Sequence, residues 1–79
     1  MEQKKLDPKK VGKFIAQIRE EKKLTQSELA RKLGVSNKAI SKWECGRGLP
    51  EITMLLPLSE ELEVSVKEIL IGEQIMSMK

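Results

Sequence analysis

Thr25-Gln26-Ser27-Glu28-Leu29-Ala30-Arg31-Lys32-Leu33-Gly34-Val35-Ser36, continued by Asn37-Lys38-Ala39-Ile40-Ser41-Lys42-Trp43-Glu44, reads as two short helices joined by a tight turn. Thr25 and Glu28 have the spacing of a capping box, in which each side chain satisfies a backbone N–H that the first helical turn leaves free. Leu29, Ala30 and Leu33 face inward on the helix that follows. Gly34 falls where a left-handed residue stops a helix. Ser36 then opens a second helix, running to about Cys45, as an N-cap whose hydroxyl accepts a free N–H. A gap of only a few residues between two such helices is the helix-turn-helix spacing.

Further helices are expected on both sides. Upstream, Asp7-Pro8 reads as an N-cap with proline at the first helical position. Val11, Phe14, Ile15 and Ile18 then recur at the spacing of one amphipathic stripe. This helix is predicted to reach Lys22 or Lys23, with that basic pair in its last turn. Downstream, Gly46, Gly48 and Pro50 mark a loop. Leu55, Leu58 and Leu62 form the next helical stripe, with Pro57 predicted either near its start or at a bend. Ser65-Val66-Lys67-Glu68 repeats the capping-box pattern and opens a last short helix, which Gly72 ends. Val64, Val66, Ile69 and Leu70 are expected mostly in the core. The reading divides the chain into a domain over 1–72 and a tail over 73–79. Ile75, Met76 and Met78 in that tail are expected to be frayed, to contact a second copy, or to lead into a longer chain.

Composition agrees with an all-α protein. The chain has 79 residues, one Phe and one Trp, so its modest core is aliphatic. A lone cysteine and no histidine exclude an internal disulfide and the usual zinc sets. No apolar run approaches the roughly 18 residues that cross a bilayer, and the first ten residues do not read as a signal peptide. A cytoplasmic protein without membrane contact, metal or other cofactor is expected. The net charge of +3 conceals a division: residues 1–48 hold 13 Lys and Arg against six Asp and Glu, whereas residues 49–79 hold two against six. The basic part is where a polyanion would bind.

On a helical wheel of about 100° per residue, Asn37, Ser41, Cys45, Lys38 and Lys42 share one arc, and Ala39, Ile40 and Trp43 the other. Trp43 is thereby expected to plug the core rather than to stack on a base. The polar arc is short-chained and amide-bearing. A helix fits the major groove, where Asn37 can pair with adenine and Lys38 or Lys42 with guanine, while Ser41 suits a base or a phosphate. An ordinary solvated helix face would show a similar polar arc, and the wheel alone leaves both readings open.

Residues 24–44 resemble the helix-turn-helix of the phage Cro and C1 repressor family, also called the XRE family. Counted from Gln26, that pattern takes a small residue fifth, glycine ninth and apolar residues fifteenth and eighteenth, which are Ala30, Gly34, Ile40 and Trp43 here. The similarity spans roughly Val11 to Leu70. It implies a five-helix bundle of the lambda-repressor-like type, whose second and third helices read double-stranded DNA. It also implies that Gln26 contacts a phosphate and supports the first base-reading residue. Asn37, Lys38 and Lys42 match base-contacting positions, Arg47 matches a backbone-contacting place, and Ser36 and Ser41 complete the DNA-binding set that is expected. Arg19 and Glu44 are implied to form a largely buried salt bridge. Where many relatives carry Asn after that Glu, this chain has Cys45, which leaves a backbone N–H there as the phosphate donor.

The function expected is therefore sequence-specific binding of duplex DNA as a homodimer, in a transcriptional regulator acting as a repressor. The alternative is an antitoxin or adaptor whose main task is to bind a partner protein. An enzyme is not expected: histidine and tyrosine are absent, and no serine–lysine pair has a third group to orient it.

Overall fold

A computed structural model describes residues 6–75 as five helices: α1 (Pro8–Glu21), α2 (Gln26–Leu33), α3 (Asn37–Glu44), α4 (Ile52–Leu62) and α5 (Val66–Ile71). No strand occurs among the described residues. Met76 and Met78 of the expected tail lie outside them.

The helix boundaries follow from side chains that satisfy free backbone groups. Asp7 accepts the N–H of Lys9 and Lys10, with Pro8 at the first position of α1. Complete capping boxes open α2, through Thr25 and Glu28, and α5, through Ser65 and Glu68. Ser36 accepts the N–H of Ala39 to open α3. Gly34 closes α2 at φ 72°, a left-handed conformation that an L side chain disfavours. α1 stops slightly short of the predicted end: Lys22 is its cap and Lys23 is left-handed at φ 62°, so the basic pair follows the last turn instead of lying in it.

α4 does not start just before Pro57, as one of the two expectations had it, but five residues earlier. α4 starts at Ile52 and takes Pro57 into its interior. Proline there removes the hydrogen bond that this position would otherwise give to the carbonyl of Thr53.

The core draws on every helix. Val11, Phe14, Ile15 and Ile18 of α1 pack with Leu29, Ala30 and Leu33 of α2, Ile40 and Trp43 of α3, Leu58 and Leu62 of α4, and Ile69 of α5. Leu55, Val64, Val66 and Leu70, expected inside, are half-buried. α3 rests mainly on α1 and α2, while α5 packs on α1 and α4, and α4 on α2, α5 and, less extensively, α1. This arrangement leaves the outer face of α3 uncovered.

Candidate nucleic-acid interface

α3 owes its orientation to the groups that grip its inner face. Ile40 is fully buried and Trp43 nearly so, which makes the indole a core plug, as its arc on the wheel implies. α1 comes against the end of α3 at Gly12. A Cβ at that position would lie 2.2 Å from the carbonyl oxygen of Trp43 and 2.9 Å from that of Glu44, so only glycine permits the approach. Nothing in the amphipathic reading of α1 singled out Gly12. Its one signal is a glycine inside an otherwise regular helical pattern.

An ionic lock completes the grip. Arg19 of α1 meets the Glu44 carboxylate through two nitrogens, Nε to Oε2 at 2.7 Å and Nη2 to Oε1 at 3.1 Å. Arg19 Nη1 also donates to the carbonyl of Leu24 at 2.7 Å, tying the entry of α2 into the same cluster. The two side chains are only 11% and 7% exposed. The hydrogen bond with Glu44, more than the surrounding charge, raises the Arg19 guanidinium above its ordinary pKa. Such a two-point contact fixes direction as well as distance.

With its inner face held, α3 turns Asn37, Lys38 and Lys42 outward as exposed side chains, with Ser41 half-buried between them. Lys38, Ser41, Lys42 and Arg47 line one open depression. None of the three cations there takes part in an ion pair among the described residues. The stem of Lys42 runs across Gly48, and that of Lys9 lies over Gly46, so α1 contributes a lysine beside the Arg47 loop. Lys9 was not among the residues expected at this site, because its neighbourhood to the loop arises only through the packing of α1 on α3.

Three of the positions expected to contact DNA also make hydrogen bonds within the protein. Gln26 directs its amide nitrogen to Glu44 Oε1 at 2.8 Å, joining the ionic lock and leaving one amide hydrogen free. The side chain that reaches Asn37 is Ser27, whose hydroxyl donates to Asn37 Oδ1 at 3.4 Å. Ser36 spends its hydroxyl on the helix cap, accepting from Ala39 N–H at 3.1 Å. At Cys45 the expected backbone donor is already engaged, for its N–H donates to the Ser41 carbonyl at 2.9 Å. The Cys45 thiol itself is exposed and free.

The exposed face thus combines an amide, a hydroxyl and cations, groups of the kinds that contact base edges and phosphates. The comparisons with known proteins point the same way. The helix-turn-helix family model matches residues 15–69. The HTH-type transcriptional activator BcrR of Enterococcus faecalis is 42% identical over 64 residues, which are 81% of this chain and 31% of that protein. The crystal structure of the phage P22 c2 repressor in complex with a synthetic operator superposes with a TM-score of 0.76 at 38% identity, covering 80% of this chain and 96% of that one. SinR, the master regulator for biofilm formation, in complex with DNA gives 0.70 at 39% identity, covering 76% and 97%. The chain thus spans about a third of the length of the curated relative BcrR.

Proposed function

The chain belongs to the helix-turn-helix family of Cro/C1 type, and from that premise we propose that it binds double-stranded DNA sequence-specifically and regulates transcription. α3 enters the major groove. Asn37, Lys38, Ser41 and Lys42 face the bases, while Gln26, Ser36 and Arg47 lie toward the backbone. The observation that carries this reading is the outward face of α3: exposed, amide-bearing and cationic, on a helix whose opposite face is clamped into the core. BcrR, the P22 c2 repressor and SinR are all regulators or bound to DNA in their solved form, which favours this reading over the adaptor or antitoxin one.

In this proposal a second copy of the chain covers exposed apolar surface on α4. Ile52 and Leu56, one helical turn apart at the start of α4, are 82% and 60% exposed. A two-fold dimer would place two α3 helices about 34 Å apart, one turn of DNA between half-sites.

Selection of binding sites from random duplex DNA tests the proposal directly. The expected outcome is a two-fold symmetric site, with affinity falling as salt rises at a logarithmic slope near −5 if about six phosphates are neutralised. Lys38→Ala and Asn37→Ala should each cost roughly 1–3 kcal/mol at a single base pair of that site. Equal losses on the selected site and on random DNA would remove these residues from the reading set, and selection that enriches no sequence would overturn the function.

A further inference from the structure

The first turn of α1 is pressed against the loop that follows α3. A Cβ on Gly46 would lie 2.7 Å from Lys9 Cγ and 2.9 Å from Lys9 Cα, so backbone and stem both come too close for a side chain there. Gly46 also holds φ 77°, a left-handed conformation that favours glycine. Because the approach involves the Cα as well as the stem, the root of Lys9 is fixed beside the loop.

Gly46 is flanked by Cys45, which shares the outward arc of α3, and by Arg47, which lines the open depression with Lys38, Ser41 and Lys42. Lys9 therefore starts from the edge of the same cationic face. Its side chain is exposed, and no carboxylate pairs with it among the described residues. The neighbouring Asp7 spends its carboxylate on the backbone N–H groups of Lys9 and Lys10. Lys10, about 100° further round the helix, goes elsewhere: its stem lies against Gly72 and its ammonium meets Glu73 at 2.9 Å. Two adjacent lysines are thus divided, one matched by the acidic second half and the other left on the side of α3.

We infer that Lys9 is a DNA-binding residue: with a duplex on α3, its ammonium neutralises a backbone phosphate beside the one that Arg47 meets. The footprint then runs past the helix-turn-helix onto the first turn of α1. This contact presupposes that α3 and Arg47 form the DNA face. A lysine is a point charge on a flexible stem, suited to a phosphate, and a phosphate contact carries no base information. Lys9 accordingly adds affinity to any duplex and leaves the choice of sequence to α3.

The test compares Lys9→Gln, which keeps most of the stem over Gly46 and removes the charge, with Lys10→Gln beside it, on the selected operator and on random duplex DNA. Lys9→Gln should weaken both complexes alike, roughly 3- to 10-fold at about 0.1 M salt, and lower the magnitude of the salt slope by about 1. Lys10→Gln should change neither, and Lys9→Arg should restore both. Ethylation of single phosphates locates the contact: one position that blocks the unmodified chain should cease to matter in Lys9→Gln, next to those that cease to matter in Arg47→Ala. Urea unfolding of Lys9→Gln should be unchanged, and a loss of stability matching the loss of binding would reduce Lys9 to a packing role. If Lys9→Gln leaves the slope and the ethylation pattern intact while Arg47→Ala alters them, the contact by Lys9 is overturned and the reading of the α3 face stands. Equal losses in Lys9→Gln and Lys10→Gln would also overturn it, as general charge and not a placed contact. If Arg47→Ala too leaves slope and pattern unchanged, the DNA face is elsewhere, and both fall.

Discussion

On α3 and the loop behind it, Lys38, Lys42 and Arg47 stand outside any ion pair among the described residues, whereas Lys10, Lys22 and Lys32 each meet a carboxylate from the second half of the chain. Lys10 reaches Glu73 at 2.9 Å, Lys22 reaches Glu63, and Lys32 lies 4.0 Å from Glu61. The acidic second half thus neutralises cations of α1 and α2 that it can touch. It does not pair with those of α3, for α4 and α5 pack mainly against α1, α2 and each other. Positive charge is sorted by packing into a quenched rim and an available face. Segregated charge along a sequence becomes a directional field only when the fold decides which charges meet.

The largest effect separating the two regions should come from the ionic lock beneath α3. Arg19→Ala or Glu44→Ala leaves its partner charged in a place mostly closed to water, and urea unfolding should show a loss of about 3–5 kcal/mol. The rim pairs are exposed, and Lys32→Ala should cost under about 1 kcal/mol in the same assay. Comparable losses at both places would erase the distinction between a clamp and a rim.

Next in size is the close approach of α1. Gly12→Ala places a methyl group 2.2 Å from the Trp43 carbonyl oxygen. The two helices must separate, at a cost of about 1–3 kcal/mol by the same measurement. Unchanged stability would mean that α3 does not depend on this contact for its seat.

A smaller effect distinguishes available from quenched cations on DNA itself. Lys42→Ala or Arg47→Ala should lower the magnitude of the salt slope by about 1 each. Lys10→Ala and Lys32→Ala, at cations already paired, should leave it nearly unchanged. Equal changes in all four would show that the whole basic half, not one face, meets the polyanion.

The smallest effect concerns acid. Backbone hydrogen bonds hold Glu28 and Glu68 below the ordinary carboxylate range, the first from Thr25 and the second from Ser65 and then Ile75. A hydrogen bond from Lys22 does the same for Glu63. A carboxyl with a depressed pKa in the folded state contributes stability that is complete above its unfolded value of about 4.3 and is lost as pH falls through the folded value. The melting temperature should therefore decline as the solution is acidified below about pH 4.3. Glu68→Gln, which keeps a capping side chain without the titration, should make the decline shallower. An unaltered acid limb would show that this carboxylate does not contribute to it.

Local signals made the helices legible. Asp7, Thr25, Ser36 and Ser65 cap them, Gly34 and Gly72 end two of them, and each of these acts on backbone groups a few residues away. Ile40 and Trp43 were recognisable as the inner face of α3 for the same reason, since a helical repeat is a short-range rule. Pro57 shows where such rules weaken. The sequence left the start of α4 open around this proline, and the helix begins at Ile52 without a capping side chain.

The order of residues by itself determined four helices with capping side chains, a further helical stripe, a basic first half and a polar arc on α3, because hydrogen bonding at helix ends and periodic burial are written within a few residues of chain. Only the tertiary structure decided that Glu44 holds Arg19 and Gln26 together, that Ser27 rather than Gln26 touches Asn37, and which lysines keep their charge unmatched. Those outcomes join groups 10 to 63 residues apart in the chain. At such separations neither capping nor periodicity says which side chains will meet; the packing of one helix on another does.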